Sequence, residues 1–298
     1  MKLHSDQVHK AARPLSSLEA VPVSPAIGAE IKGVDLARID DAAFTAIREA
    51  WLEHCVLLFR NQDIDDADLV AFSRRFGELD ESPPNENGVM SPSDFPEILV
   101  LSNVVENGVA IGSLGNQECI WHSDMNYREK PPMGSMLYAL EVPPTGGNTG
   151  FLNAYMAYDA LPVSLKRRIE DLHIKHDSTT NSAGYRREGS DEVTDVTVSP
   201  GTTHPIVRTH PETKRQTLFL GRRRFAYIPE LPLAESEALL DELWAHATQE
   251  KFTWHHRWRV GDIVCWDNRC TMHRRDDFPE NSRRVMHRTQ IKGDRPFA

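Results

Sequence analysis

Cysteine is scarce and unpatterned in this chain. Only Cys55, Cys119, Cys265 and Cys270 occur, and no two form a C-x-x-C pair. They read as free thiols of a reducing compartment rather than as a disulfide framework. Long apolar runs are missing as well. None reaches the ~18 residues a membrane span needs, and the first 13 residues contain no apolar stretch of the kind a secretory signal carries. Basic residues are in the minority, with 34 Lys and Arg against 44 Asp and Glu and a formal net charge of −10. That removes the global positive footprint expected of a partner for nucleic acid or an anionic membrane surface. A local arginine pocket for a small anion is still compatible with this balance. Internal repeats and low-complexity blocks are absent. The expected setting is the cytoplasm, with a small-molecule substrate, no nucleic-acid or membrane partner, and a homo-oligomeric state.

What is present is 40% hydrophobic residues over 298 positions, enough for a large core. Residues 1–18 are polar and read as a mobile segment, leaving 19–298 as one domain. Residues 21–36 suggest short strands with turns. Asp40 and Asp41 open a helix with Phe44, Ile47 and Trp51 on one face. Residues 55–59 form a short apolar strand. Asp65 and Asp66 cap a second helix carrying Leu69, Phe72 and Phe76 and ended by Gly77. Further strands are expected over 98–101, 134–142, 150–155, 216–220, 261–266 and 283–291. Helices are expected from Pro162 and over 234–248. Many short strands with few helices between them indicate a mostly β core with flanking helices. Two polar stretches, 79–116 and 177–203, are too long for plain connections and read as loops that close over a site.

The chemistry-bearing residues are His122, Ser123 and Asp124, with His273 far downstream. Two imidazoles and a carboxylate make a three-ligand face for a divalent metal and leave the opposite face open, the pattern of non-heme iron(II) oxygenases. His-x-Asp alone is a common surface pair. Its surroundings give it meaning: Trp121 before it, Thr145-Gly146-Gly147-Asn148-Thr149 after it, and two arginines after His273. Residues i and i+2 at a strand end point to one side, which would aim His122 and Asp124 at one ion. Arg284 and Arg288 follow His273 by 11 and 15 residues. Strand alternation places 284, 286 and 288 on one face. Two guanidiniums on one face of a metal pocket suit two carboxylate-like anions. A solvated basic strand edge is the plainer alternative.

His122-Ser123-Asp124, the segment Pro143-Pro144-Thr145-Gly146-Gly147-Asn148-Thr149, the run from Trp266-Asp267-Asn268-Arg269 to His273, and the Arg284/Arg288 pair together resemble the taurine dioxygenase and aryloxyalkanoate dioxygenase family. The resemblance spans about residues 21–292. It implies a double-stranded β-helix, or jelly roll, using Fe(II), the cosubstrate 2-oxoglutarate and O2. It implies iron ligation by His122, Asp124 and His273. It further implies that Arg284 and Thr149 hold the distal carboxylate of 2-oxoglutarate and that Arg288 holds the acidic group of the primary substrate. By an ungapped count, Ser82 stands where taurine-oxidising members carry a sulfonate-binding histidine, and Asn85 near the place of a tyrosine. This points away from taurine and toward a carboxylate, with Ser82 in the substrate-binding region. The expected reaction is hydroxylation next to the acidic group, giving succinate and carbon dioxide. A sulfonate dioxygenase is the alternative within the family, and a metal-binding jelly-roll sensor the alternative outside enzymes.

Overall fold

The computed structural model describes residues 18–82, 90, 94–117 and 119–298. Two β-sheets face each other. The larger has eight strands, in spatial order Glu19–Pro22, Ala29–Lys32, Val56–Phe59, Ile263–Asp267, Gly134–Glu141, Val285–Ile291, Leu99–Ser102 and Ser113–Leu114. The smaller has four, in order Thr253–His256, Thr149–Asn153, Thr271–Arg275 and Cys119–His122. Most pairs are antiparallel, and sequence neighbours are rarely spatial neighbours. This is the expected jelly roll.

Alternation along the strands divides the core. Val56 and Leu58 face the smaller sheet and pack with Leu101, Leu137, Phe151, Val264, Trp266 and Met286. Leu57 and Phe59 face the other way, with Met136, Tyr138, Ile263 and Cys265. Two helices cover that outer face, Asp41–His54 and Asp66–Arg74, bringing Ile47, Trp51, Leu69 and Phe72. A strand buried on both faces needs an unbroken apolar run, and Val56-Leu57-Leu58-Phe59 supplies one. Asp40 caps the first helix through the Ala43 N–H. Asp65 and Asp68 cap the second reciprocally. That helix stops at Arg74, three residues before Gly77.

Several boundaries shift by a few residues from the sequence expectation, and one changes the kind of element. The apolar stretch expected as strand over 150–155 is strand only to Asn153. The Asn153 side chain accepts the Met156 N–H and starts the helix Ala154–Asp159, so Tyr155 is helical. The segment from 177 also differs from an open loop at its start. Asp177 is buried, and its carboxylate accepts from the backbone and hydroxyl groups of Thr179 and Thr180 and from Arg222. Exposed residues predominate only from Tyr185 onward.

Candidate active site

The strand register places the two histidines. His122 and His273 are direct cross-strand partners in the smaller sheet, and Phe151 pairs with His273 from the other side. Cross-strand partners share a face, so both imidazoles point between the sheets, with ring centroids 4.2 Å apart. Thr149 and Arg275 are also partners, two residues along each strand, and share that face. From the larger sheet come Ser135, Trp266 and Gln290, which pair in register, and Arg288 opposite Leu137.

Asp124 joins them by a route the sequence reading did not foresee. The strand ends at His122, so alternation does not aim the carboxylate. A tight turn does, with Met125 at φ 44. The Asp124 Oδ1 lies 3.9 Å from His122 Nε2 and 3.8 Å from His273 Nε2. All three ligand atoms fall within 4.8 Å of one another. The Nδ1 of His122 lies 2.7 Å from the Ile120 carbonyl. A carbonyl only accepts, so Nδ1 carries the proton and Nε2 keeps its lone pair facing inward.

Electrostatics set the charge states. Burial lowers the His122 pKa and pushes His273 down to about 3, the neighbouring His122 adding to the effect. Burial alone would raise Asp124. The Arg288 guanidinium, with the two imidazoles in their protonated form and the Ser135 hydrogen bond, outweighs it and holds the carboxyl well below the usual range. Two neutral imidazoles and one carboxylate are the protonation states that a divalent cation requires.

A chain of donors fixes Asp124. Ser135 Oγ donates to Asp124 Oδ2 at 2.7 Å, Asn268 Nδ2 donates to Ser135 Oγ at 3.0 Å, and Trp266 Nε1 donates to Asn268 Oδ1 at 2.9 Å. This explains part of the Trp266-Asp267-Asn268-Arg269 run. Asp267 is gripped by Arg269 through two contacts, at 2.8 and 2.7 Å, and by His210 at 3.0 Å. His210, Asp267 and Cys270 are also close enough to hold a metal. Their polar atoms are already occupied, since His210 Nδ1 accepts the N–H groups of Glu212 and Thr213. They brace the loop. Ser135→Ala should therefore weaken iron affinity about 10- to 100-fold, the usual cost of losing a partner of a metal ligand. Iron titration of the apoprotein measures it, and an unchanged affinity would show that the serine does not orient Asp124.

Behind the histidines lies a narrow inner pocket lined by Thr149, Trp266, His273, Arg275 and Arg284. Arg284 is buried, its Nε has no hydrogen-bond partner, and no acid pairs with it among the described residues. Burial, and then the nearby Arg275, push its pKa down to about 9, which leaves it charged at neutral pH. Thr149 Oγ1 accepts from Trp258 Nε1 at 2.9 Å, so the hydroxyl proton remains available to a guest acceptor.

In front lies an outer cavity of about 340 Å³, lined by His122, Asp124, Tyr127, Arg187, Arg222 and Arg288 among others. Arg288 donates to Asp124 Oδ1 at 3.2 Å and to Gln290 at 3.3 Å, while its Nε is unpartnered. Both arginines thus lie beside the His122, Asp124 and His273 cluster, although Arg284 precedes the strand Val285–Ile291 and alternation within it does not place that residue. Ser82 is buried, donates its N–H to the Pro96 carbonyl at 2.7 Å, and lines neither space. Asn85 lies outside the described residues. Ser135, Trp258, Arg275 and Arg222 escaped sequence reasoning. Only Arg222 left a trace, in the run Arg222-Arg223-Arg224, and its backbone bridges to His122.

The family model described as "Taurine catabolism dioxygenase TauD, TfdA family" matches residues 19–290. A "(S)-phenoxypropionate/alpha-ketoglutarate-dioxygenase" of Sphingobium herbicidovorans is 34% identical over 291 residues, covering 93% of this chain and 96% of that protein. An "Alpha-ketoglutarate-dependent 2,4-dichlorophenoxyacetate dioxygenase" of Cupriavidus pinatubonensis is also 34% identical, over 93% of this chain and 99% of its own. Among solved structures, that of AAD-2 in complex with Mn(II) and N-oxalylglycine superposes with a TM-score of 0.76 and 32% identity. It covers 95% of this chain and 100% of that one.

Proposed function

The chain belongs to the TauD/TfdA dioxygenase family, and from that premise we propose that it hydroxylates a small organic acid of aryloxyalkanoate type next to its acidic group. It is an iron(II)- and 2-oxoglutarate-dependent dioxygenase. When bound, the metal and cosubstrate supply the oxidising chemistry, in which 2-oxoglutarate is converted to succinate and carbon dioxide as O2 is consumed. In this reading residues 19–298 form one catalytic domain.

His122, Asp124 and His273 would hold the iron, and the donor set fits it: two neutral imidazole Nε2 atoms and one carboxylate converge there. The observation that carries the assignment is the flanking of this triad by two arginines with unpartnered Nε atoms. Arg284 lines the inner pocket, and Arg288 lines both that pocket and the outer cavity. Arg284 has no acid partner among the described residues, and an unpaired guanidinium in a buried pocket is costly and calls for a carboxylate, whereas Arg288 is already paired with Asp124 and keeps only its Nε free. Arg284 with the Thr149 hydroxyl would orient the distal carboxylate of 2-oxoglutarate. Arg288 would receive the acidic group of the substrate through its free Nε while steadying Asp124. Leu99 and Leu114 at the outer cavity give an apolar body something to rest against. The walls exclude water and fix which carbon faces the metal.

The test is succinate formation over a panel of aryloxyacids, sulfonates and amino acids. Aryloxyacids should be turned over best. Arg288→Ala should cut their kcat/KM by roughly 100-fold, the scale of a lost charge-assisted contact. Substrate-independent decarboxylation of 2-oxoglutarate should suffer far less. Taurine as the best substrate, or equal turnover of uncharged analogues, would overturn this reading.

A further inference from the structure

The outer cavity has more positive charge than one substrate acid needs. Its lining contains Arg186, Arg187, Arg222 and Arg288, against the carboxylates of Asp124 and Glu188 alone. Two of the four arginines are accounted for. Arg288 is tied to Asp124. Arg222 is tied to Asp177, with its NH1 on the Thr180 carbonyl. Arg187 is different. Its guanidinium lies 4.7 Å over the Tyr127 ring, its Nε is buried without a partner, and no acid pairs with it among the described residues.

We infer that Arg187, seated on Tyr127 beside Arg222, forms a second anion subsite, and that the preferred substrate is a diacid whose far anionic group docks there. The inference rests on the reading that Arg288 holds the near group.

The placement is built into the backbone. Tyr127 sits in the turn that follows Asp124, so the aromatic shelf is fixed to the metal site. Arg187 is fixed to the buried start of its own segment by its N–H, which donates to the Thr179 carbonyl at 2.7 Å. Asp177 anchors that same start through Thr179, Thr180 and Arg222. A guanidinium held over a ring face still has its N–H donors to offer to an anion. Arg222 is close enough to Arg187 for their charges to repel, which helps lower the Arg222 pKa to about 10, after the larger effect of burial. A second carboxylate between them would relieve that repulsion. A monoanion held at Arg288 leaves it in place. A cavity of about 340 Å³ has room for an aryl ring with an acid at each end.

A matched pair of compounds tests this: 4-carboxyphenoxyacetate and 4-(methoxycarbonyl)phenoxyacetate, the methyl ester of its ring carboxyl, which keeps the skeleton and removes one charge. Binding is read as the ligand-induced shift of the thermal midpoint of the full chain loaded with Mn(II) and N-oxalylglycine. Turnover is read as succinate formation by the iron-loaded enzyme. The diacid should bind about tenfold or more tightly than the ester. Arg187→Ala should bring that ratio close to one, and Arg187→Lys should keep part of it. A ratio near one in the unaltered protein, a ratio unchanged in Arg187→Ala, or binding of neither compound overturns the inference. Arg187-dependent binding without turnover would sustain the subsite and count against the aryloxyacid reading instead.

Discussion

Replacing His273 with alanine is expected to abolish iron-dependent succinate formation while the fold persists. The side chain contributes little to the fold. Its Nδ1 has no hydrogen-bond partner, and its ring is in contact distance of Trp266 and Phe151, with centroids at 4.8 and 6.3 Å. The strand Thr271–Arg275 is held by backbone pairing to neighbours on both sides, which the substitution leaves intact. The cost to stability is the cavity left by a buried ring, on the order of a few kcal/mol. The cost to the metal is larger. Losing a partner of a ligand weakens binding about 10- to 100-fold, and losing one of three ligands removes the face that holds the ion. The measurement is iron per chain after desalting, beside far-UV circular dichroism and turnover. Native dichroism with no retained iron and no succinate is the expected result. Full iron-dependent activity in this variant would remove His273 from the ligand set.

The role of the fold in that prediction was only partly legible in the sequence. Alternation in 283–291 anticipated Arg288, which lies within the strand Val285–Ile291, but Arg284 precedes that strand and a register shift separates Val285 from Met286, so period two does not by itself explain its placement. The apolar run 55–59 announced a strand, and the structure buries Val56–Phe59 on both faces. By contrast, the pairing of His122 with His273 spans 150 residues of chain, and local periodicity carries no information about such register. The Asp124 turn depends on Met125 at positive φ, which no residue-type rule signals, since methionine disfavours that conformation. Tyr155 was misplaced because apolar composition outweighed the capping asparagine before it. Trp258 and Ser135 act through single hydrogen bonds from distant strands. The motif around Trp266 was visible, but that its tryptophan and asparagine form a donor chain ending on Asp124 was not.

Arg284→Ala is expected to raise the 2-oxoglutarate concentration needed for half-maximal succinate formation by on the order of 100-fold or more, the scale of breaking a buried charged pair. Arg284→Lys should fall between, because an ammonium keeps the charge and loses the planar fork. Thr149→Ala should act in the same direction and more weakly, since its hydroxyl offers one neutral donor. A purely structural arginine would predict a further consequence with the opposite sign. If Arg284 stabilised the fold through contacts of its own, its loss would lower the thermal midpoint of the ligand-free protein. Instead its Nε is unpartnered, and Arg275 repels it. The guanidinium is a buried cation waiting for an anion, and removing it should leave the ligand-free midpoint unchanged or higher. Addition of 2-oxoglutarate with Mn(II) should then stabilise the unaltered protein and barely affect the variant, because stabilisation by a ligand scales with how tightly the folded state binds it. A lowered ligand-free midpoint together with an undiminished response to 2-oxoglutarate would assign Arg284 to the scaffold and leave the cosubstrate carboxylate to Arg275.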